Sequence, residues 1–371
     1  MSLLAAASDV SFGLAGPGDD ARLRELLRAF PMGRSVRVTF EREPGFFAAA
    51  AVHGDLVQVP AVREGARLLG MGLRAVGRGF LGGVPAPVGY LGDLRLEPAR
   101  RGGTLLARGY RFLRRLHGDG RVPLYATVVV ADNEAALKTI AAGRAGLPEY
   151  RDLGLLLTPA IRLGRRLADL AAPGVGISRA ASIDLPDIVA CLNRFNARRA
   201  FAPRHAVEDF LVGGRWRGVK AGDFLVARRG GKVVGTLARW DQGSFRQTRV
   251  HGYSFAMDAA RRLAKPFGGF LARLPEPGSV VPHFYAAFPS ADADDLGVMR
   301  ALLRALYNAA AGGQHLYFIL GLHERDPLAA LLADYPRTPF AGRLFAVHWE
   351  DGRRAAEALA GQLPYLEAGT L

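Results

Sequence analysis

Cysteine is almost missing from these 371 residues, Cys191 being the only one. No disulfide can form within the chain and no cysteine-based zinc site can be built, which fits a reducing compartment. Lysine is scarce as well. Only Lys138, Lys220, Lys232 and Lys265 are present among 49 basic residues, so 49 − 4 = 45 arginines carry the formal charge of +15. Arginine, alanine and glycine are enriched together, as GC-rich coding produces, so the charge alone does not specify a polyanionic partner. Such a field still steers phosphate-bearing molecules toward the surface, which keeps tRNA among the conceivable partners. Aromatics make up 9% of the chain and are not interleaved with arginines as a stacking platform, so general nucleic-acid binding is a minority reading. No apolar run reaches the roughly 18 residues that a membrane span needs. The N-terminus MSLLAAASDV lacks the basic start and long apolar stretch of a signal peptide. A cytoplasmic protein with no membrane partner is therefore expected.

What is present is a globular composition, half hydrophobic and 22% charged, at a length suited to about two domains. Internal repetition supports that number. Residues 10–30 (VSFGLAGPGDDARLRELLRAF) align without a gap on residues 175–195 (VGISRAASIDLPDIVACLNRF), each a short strand, a polar turn and an amphipathic helix. Residues 62–76 resemble 227–240, two apolar runs around a Gly-bearing hairpin turn. Residues 124–137 match 316–329, a buried strand running through a polar turn into a helix. Three alignments in the same order argue for two copies of one fold, 1–170 and 171–371. Ala171, Ala172, Pro173 and Gly174 form a short linker.

The most informative stretch is residues 91–116, LGDLRLEPARRGGTLLARGYRFLRRL. An apolar strand enters a basic, Gly-containing turn that opens directly into an amphipathic helix. The first backbone N–H groups of a helix have no intrahelical partner, so such a turn can hold a phosphate, with Arg100 and Arg101 adding charge. Leu105, Leu106, Gly109, Phe112, Leu113 and Leu116 recur at helical spacing, and Arg108, Arg111, Arg114 and Arg115 take the outer face. The plainer alternative is an ordinary strand-to-helix connection with solvated arginines.

These residues resemble the GNAT superfamily of acyl-CoA N-acyltransferases, in a tandem arrangement covering nearly the whole chain. The likeness rests on Leu94-Arg95-Leu96-Glu97-Pro98-Ala99-Arg100-Arg101-Gly102-Gly103-Thr104, similar to that family's strand and V-x-P-x-x-R-G-x-G-x-G/A pyrophosphate loop. It rests also on Asn133-Glu134-Ala135-Ala136, like the N-x-x-A that opens its next helix, and on Gly146-Leu147 in place of Gly-Phe. The resemblance implies two α/β domains, each a mixed, mostly antiparallel sheet with a splayed parallel strand pair and flanking helices. It implies an acyl-CoA co-substrate, no metal, and transfer of an acetyl or other acyl group to a small-molecule or peptide amine. Leu94 and Leu96 would hold the pantetheine arm by their backbone, and Arg100, Arg101, Gly102, Gly103, Thr104 and Leu105 would cradle the pyrophosphate. Asn133 would face the pantetheine or cap its own helix.

The acceptor amine must lose a proton, for which Asp93 is the best-placed carboxylate, either as base or simply paired with an arginine. Thr104 and Leu106 stand where the loop motif has Gly and Gly or Ala. Ile140 stands where the family's usual tyrosine protonates the leaving thiolate, so Tyr90 and Tyr150 are the candidate substitutes. In the second copy Asp292, Asp294 and Asp295 occupy the helix start and would repel a pyrophosphate, which assigns the co-substrate to the first half. Asp241, Gln242, Gln247, His323 and Glu324 are the second half's polar candidates for an acceptor pocket, though for each a plain structural role is the stronger reading, Asp241 to Ser244 as a turn and His323 to Asp326 as a helix-opening cap before Pro327. The Gly- and Pro-rich residues 77–87 are expected to be a pocket-lining loop. A silent acyl-CoA-binding protein and an aminoacyl-tRNA-dependent transferase of the same fold are the alternative functions.

Overall fold

The computed structural model describes residues 10–100, 104–141 and 147–371. The first half runs β1 (Val10–Leu14), α1 (Asp20–Arg28), β2 (Val36–Glu41), α2 (Phe46–Ala50), β3 (Leu56–Gln58), β4 (Pro60–Glu64), β5 (Arg67–Leu81) and β6 (Val84–Leu96). It continues with α3 (Leu105–His117), β7 (Tyr125–Val130), α4 (Glu134–Ala141), β8 (Glu149–Leu157) and β9 (Ala160–Arg162). The second half opens with β10 (Gly176–Arg179), α5 (Leu185–Asn196), β11 (Arg199–Ala200), β12 (Phe224–Arg229), β13 (Lys232–Trp240), β14 (Gln247–Tyr253), α6 (Phe255–Ala264) and α7 (Gly269–Ala272). After these come β15 (His283–Ala291), α8 (Leu296–Ala310), β16 (Tyr317–Ile319), β17 (Leu322–His323), β18 (Arg337–Thr338), β19 (Ala341–His348), α9 (Arg353–Glu357) and β20 (Leu363–Pro364). No helix among the described residues is long and apolar enough to cross a membrane.

Two large mixed sheets carry the fold. Among the described residues one runs β1-β4-β5-β6-β7-β19-β8-β17, with β3 also on β5, and the other β10-β12-β13-β15-β16-β9-β18. The repeat seen in the sequence is a repeat of structure. On α1, Leu23, Leu26 and Leu27 are buried, and on α5 the positions 165 residues further on, Ile188, Cys191 and Leu192, are buried likewise. The hairpins β4–β5 and β12–β13 correspond, and each second strand pairs onward with a further antiparallel strand, β6 and β15. On α8 the spacing of Val298, Met299, Leu302, Leu306 and Ala310 produces one apolar stripe against that sheet, so these residues are core.

The halves also exchange strands. β19, from the end of the chain, lies antiparallel between β7 and β8 of the first sheet. β9, which ends the first half, lies antiparallel between β16 and β18 of the second. A two-stranded ribbon of β2 with β14 ties the halves again.

Residues 77–87 are not a loop, contrary to the expectation from their glycines and prolines. β5 and β6 pair straight through them, with Phe80 opposite Pro85 and Arg78 opposite Pro87, and only Gly82 and Gly83 turn, at φ 62° and 81°. Both prolines precede the start of the β6–β7 pairing at Gly89, so on that side no ladder needs their missing N–H.

Candidate functional site

β6 and β7 are the parallel pair of the first sheet, and they touch only briefly. Gly89 pairs with Tyr125 and Tyr90 with Ala126; beyond that the strands part. On the other side of β6 the ladder to β5 steps from Gly92 opposite Leu73 to Arg95 opposite Met71, leaving Asp93 and Leu94 as a bulge. Asp93 takes φ 51° there, a left-handed conformation that Asp tolerates better than most residues. The bulge re-aims both side chains: Leu94 is exposed, and Asp93 turns into a polar cluster at the seam between the halves.

That cluster is built from distant parts of the chain. Arg42, buried after β2, uses one nitrogen, Nη2, both to form an ion pair with Asp93 and to reach His53 Nε2, 3.3 Å away. Arginine only donates, so Nε2 is the acceptor and a neutral His53 carries its proton on Nδ1. The His53 ring stacks on Tyr90 at 5.4 Å with the planes 10° apart. Arg246, from the second half, lies close enough to act electrostatically on Asp93, Tyr90 and Arg42, and donates to the main-chain oxygens of Gly369 and Leu371. Burial pulls Asp93 upward, but Arg42 foremost, then His53 and the arginines around it, hold its carboxyl down at about 2. Burial first and the Arg42 charge second push His53 well below its ordinary value, so it is neutral at pH 7. Burial, reinforced by Asp93, pushes the Tyr90 phenol up.

With this geometry in view, likeness to known structures can be weighed. No protein-family model matches the chain, and no curated protein matches it in sequence. Solved structures do. A tandem GNAT protein from the clavulanic acid biosynthesis pathway aligns over 91% of this chain and 98% of its own, with a TM-score of 0.54 at 13% identity. The GCN5-related glucosamine N-acetyltransferase region of a fungal multi-domain β-N-acetylglucosaminidase aligns over 92% of this chain and 38% of its own, with a TM-score of 0.60 at 11% identity. A GCN5-related N-acetyltransferase from Anabaena variabilis covers 91% of this chain and 72% of its own, at 9% identity and a TM-score of 0.50. The chain has the tandem GNAT fold.

In that fold the expected cofactor residues fall as follows. Leu94 lies on the outer side of the bulge and Leu96 pairs with Gly70 at the strand end. Thr104 precedes α3, with no side-chain cap bond of its own, and Leu105 is the first helical residue. Arg100 is engaged by Glu64 at 2.6 Å. Arg101, Gly102 and Gly103 lie outside the described residues, as does the Ile140 side chain. Asn133 caps α4, its Oδ1 accepting from the Ala136 N–H at 3.2 Å.

The candidate catalytic residues are not all together. Tyr90 and Asp93 share the seam cluster. Tyr150 lies on β8, where it packs with Leu91, Tyr125 and Tyr110 under α3 and hydrogen-bonds the Tyr110 hydroxyl. Side chains alternate along a strand, and adjacent Tyr90 and Leu91 point to opposite faces, so Tyr150 and Tyr90 are on opposite sides of the sheet.

The second half repeats the geometry without the polar pocket. The β13–β15 ladder bulges at Phe288 and Pro289, with Phe288 at φ 55°. That side chain is buried among Phe210, Trp216, Phe224 and Trp240, at centroid distances of 5.1–5.7 Å. Its helix-start acids are already engaged: Asp292 by Arg194, Asp294 by Arg198 and Arg199, Asp295 by Arg229 and by the α8 amides it caps. Gln247 clamps Glu43 across the ribbon, and Gln242 donates to Gly369. His323 reaches the Leu153 carbonyl and Glu324 the Leu155 N–H. Asp241 pairs with His315 at 2.9 Å. These five residues are thus not one pocket. Among the described residues no group of His, Cys, Asp and Glu is placed to hold a metal ion.

Arg42, His53 and Arg246 were not singled out from sequence. Each reads as an isolated residue, and a lone histidine ending an apolar helix is ordinarily core; only the fold brings them to one place.

Proposed function

We propose that this chain is an N-acyltransferase that passes an acyl group, acetyl in the simplest case, from acyl-CoA to an amine bound in the same complex. The observation that carries the reading is the parallel pair parting after Tyr90, bulged at Asp93 and Leu94, with α3 starting at Leu105 soon after β6 ends, all within a tandem GNAT fold. The parted strand leaves room for an extended arm along Leu94 and Leu96, and the start of α3 near Thr104 and Leu105 suits a pyrophosphate. The amine nitrogen attacks the thioester carbon, the C–N bond forms as the C–S bond breaks, and the ammonium proton leaves to water. Asp93 contributes as a fixed negative charge that draws and orients the acceptor ammonium: a carboxyl held at about 2 is a weak base at neutral pH. Tyr90 stays protonated beside it, able to donate a hydrogen bond where the thiolate departs.

Thermal-shift titration with acetyl-CoA, followed by thiol-release assays over an amine panel, tests the proposal. Stabilisation by acetyl-CoA that R101E/G103E abolishes, with thiol release on adding an amine, is the expected result. Binding without turnover identifies a silent acyl-CoA binder. No shift with any acyl-CoA, or a shift with tRNA alone, overturns the reading.

A further inference from the structure

At the closed end of the β6–β7 splay, where Val88, Gly89 and Tyr90 lie, the seam holds a cavity of about 40 Å³. Its walls come from both halves: His53, Arg78 and Tyr90 from the first, Arg215 and Trp216 from the second, Glu367 and Thr370 from the tail. Most of their polar capacity is engaged. Arg78 is paired with Asp209 and Asp55. Glu367 accepts from the Phe288 and Gly369 N–H groups and from the Tyr365 hydroxyl, and Thr370 donates to the Glu367 carbonyl.

Two buried donors on the same walls are not engaged. His53 is 7% exposed, and its Nδ1, which bears the proton because Nε2 accepts from Arg42, has no partner. Arg215 donates only to the carbonyls of Val52 and His53, rests its guanidinium 4.4 Å over Trp216, and leaves Nη1 buried without a partner. A buried donor left unsatisfied is costly, and more so on a guanidinium that no carboxylate contacts directly, Asp55 and Asp209 acting on Arg215 only through their charge. Burial accordingly draws Arg215 down to about 10. Two unsatisfied donors, one of them permanently cationic, ask for an anion with paired acceptor oxygens, and a cavity this small admits a carboxylate and little more.

We infer that the seam cavity is a carboxylate subsite, held by Arg215 and His53, so that one of the two co-substrates of the proposed transfer carries a carboxylate beside its reacting group. This rests on the acyltransferase reading for the origin of the carboxylate but not for its binding. The carboxylate belongs either to the acceptor, as in an amino acid, or to the acyl chain, as in a dicarboxylic thioester.

Calorimetric titration of the wild-type protein with propionate and succinate, against propionamide and succinamide, reads the subsite with no catalysis required. Binding of the acids and not the amides is expected, with at least tenfold weakening in R215Q. Equal or absent binding of acids and amides by the wild type overturns the inference even if R215Q fails to fold. Turnover then assigns the source. A tenfold or larger preference for alanine over ethylamine with acetyl-CoA, lost in R215Q through KM, places the carboxylate on the acceptor. The same pattern for succinyl-CoA over acetyl-CoA with ethylamine places it on the acyl chain. A uniform fall in kcat for every substrate pair, with carboxylate binding unchanged, overturns the inference in favour of a role at the reacting carbonyl. Acid binding without thiol release supports the subsite and refutes only the acyltransferase reading.

Discussion

Replacing Asp93 with Asn separates what the seam cluster does for stability from what it does for chemistry. Asn keeps the size and tolerates φ 51° nearly as well, so the change removes a charge with little backbone strain. The folded carboxyl sits at about 2 against an ordinary 3.8, a difference that contributes about 2 kcal/mol at pH 7. The folded value is the depressed one, so this stability is complete above the unfolded value and is lost as pH falls from about 4 toward 2; roughly half persists at pH 3. The pH 7 figure already includes stranding the buried Arg42, because protonating the carboxyl breaks the same ion pair; breaking buried pairs in general costs about 3–5 kcal/mol, less here whatever the Asn amide recovers. Urea denaturation should therefore show D93N less stable than wild type by about 2–4 kcal/mol at pH 7, with the gap narrowing toward pH 3. A variant within about 0.5 kcal/mol of wild type at pH 7, or a gap that does not change with pH, refutes the argument. Turnover adds a second reading. If Asp93 only orients the acceptor, D93N raises KM for the amine and leaves the pH profile of kcat in place; a shifted acid limb makes Asp93 the base.

Three further outcomes follow from the same geometry. T104D places a carboxylate at the start of α3, which should gain about 0.5–1 kcal/mol from the helix dipole yet weaken acetyl-CoA at least about tenfold by repelling its pyrophosphate; unchanged affinity in calorimetry would move the co-substrate elsewhere. Y150F alone leaves the buried Tyr110 hydroxyl unsatisfied at a cost of about 1–3 kcal/mol, whereas Y110F/Y150F should be close to neutral, so a double-mutant cycle in urea should find a coupling of about 1 kcal/mol or more. Ending the chain after residue 338 removes β19 and leaves β7 and β8 with open edges, so the product should aggregate; a soluble monomer with native circular dichroism and an intact acetyl-CoA shift would refute the strand exchange.

The sequence carried the repeat unit well because the repeat is local. A strand, a polar turn and an amphipathic helix announce themselves by period and punctuation, and Leu23, Leu26 and Leu27 answer to Ile188, Cys191 and Leu192 at one constant offset. Sheet membership is not local. The run AGRLFAVH of β19 reads as a strand buried on both faces, but nothing in its alternation says that its neighbours are β7 and β8, about two hundred residues earlier. Residues 77–87 misled because glycine and proline signal turns only where no second strand accommodates them; here Gly79 is required by the close approach of the Ala202 carbonyl, 2.8 Å from where a Cβ would lie. The seam was illegible for the same reason. Asp93 was identifiable from its place before the loop, while Arg42, His53, Arg215 and Arg246 come from four separate segments with no spacing to connect them.

The second copy shows what acids at a helix start can do where the first copy has arginines. Asp294 bridges Arg198 and Arg199, and Arg199 in turn holds Asp326, so the acids at the start of α8 stitch that half together with its own arginines. Its bulge holds Phe288 in an aromatic cluster where the first bulge holds Asp93 in a polar one, and the Phe288 N–H is taken by Glu367 on the wall of the seam cavity. Each sheet borrows from the far side, β19 and β17 for the first and β9 for the second, so neither half can close its sheet alone. The seam cavity has the same dual parentage, His53 and Tyr90 facing Arg215 and the tail. A half so placed need not bind a co-substrate to be indispensable: it finishes the sheet that positions β6 and supplies the cation that the first half's buried histidine alone does not provide.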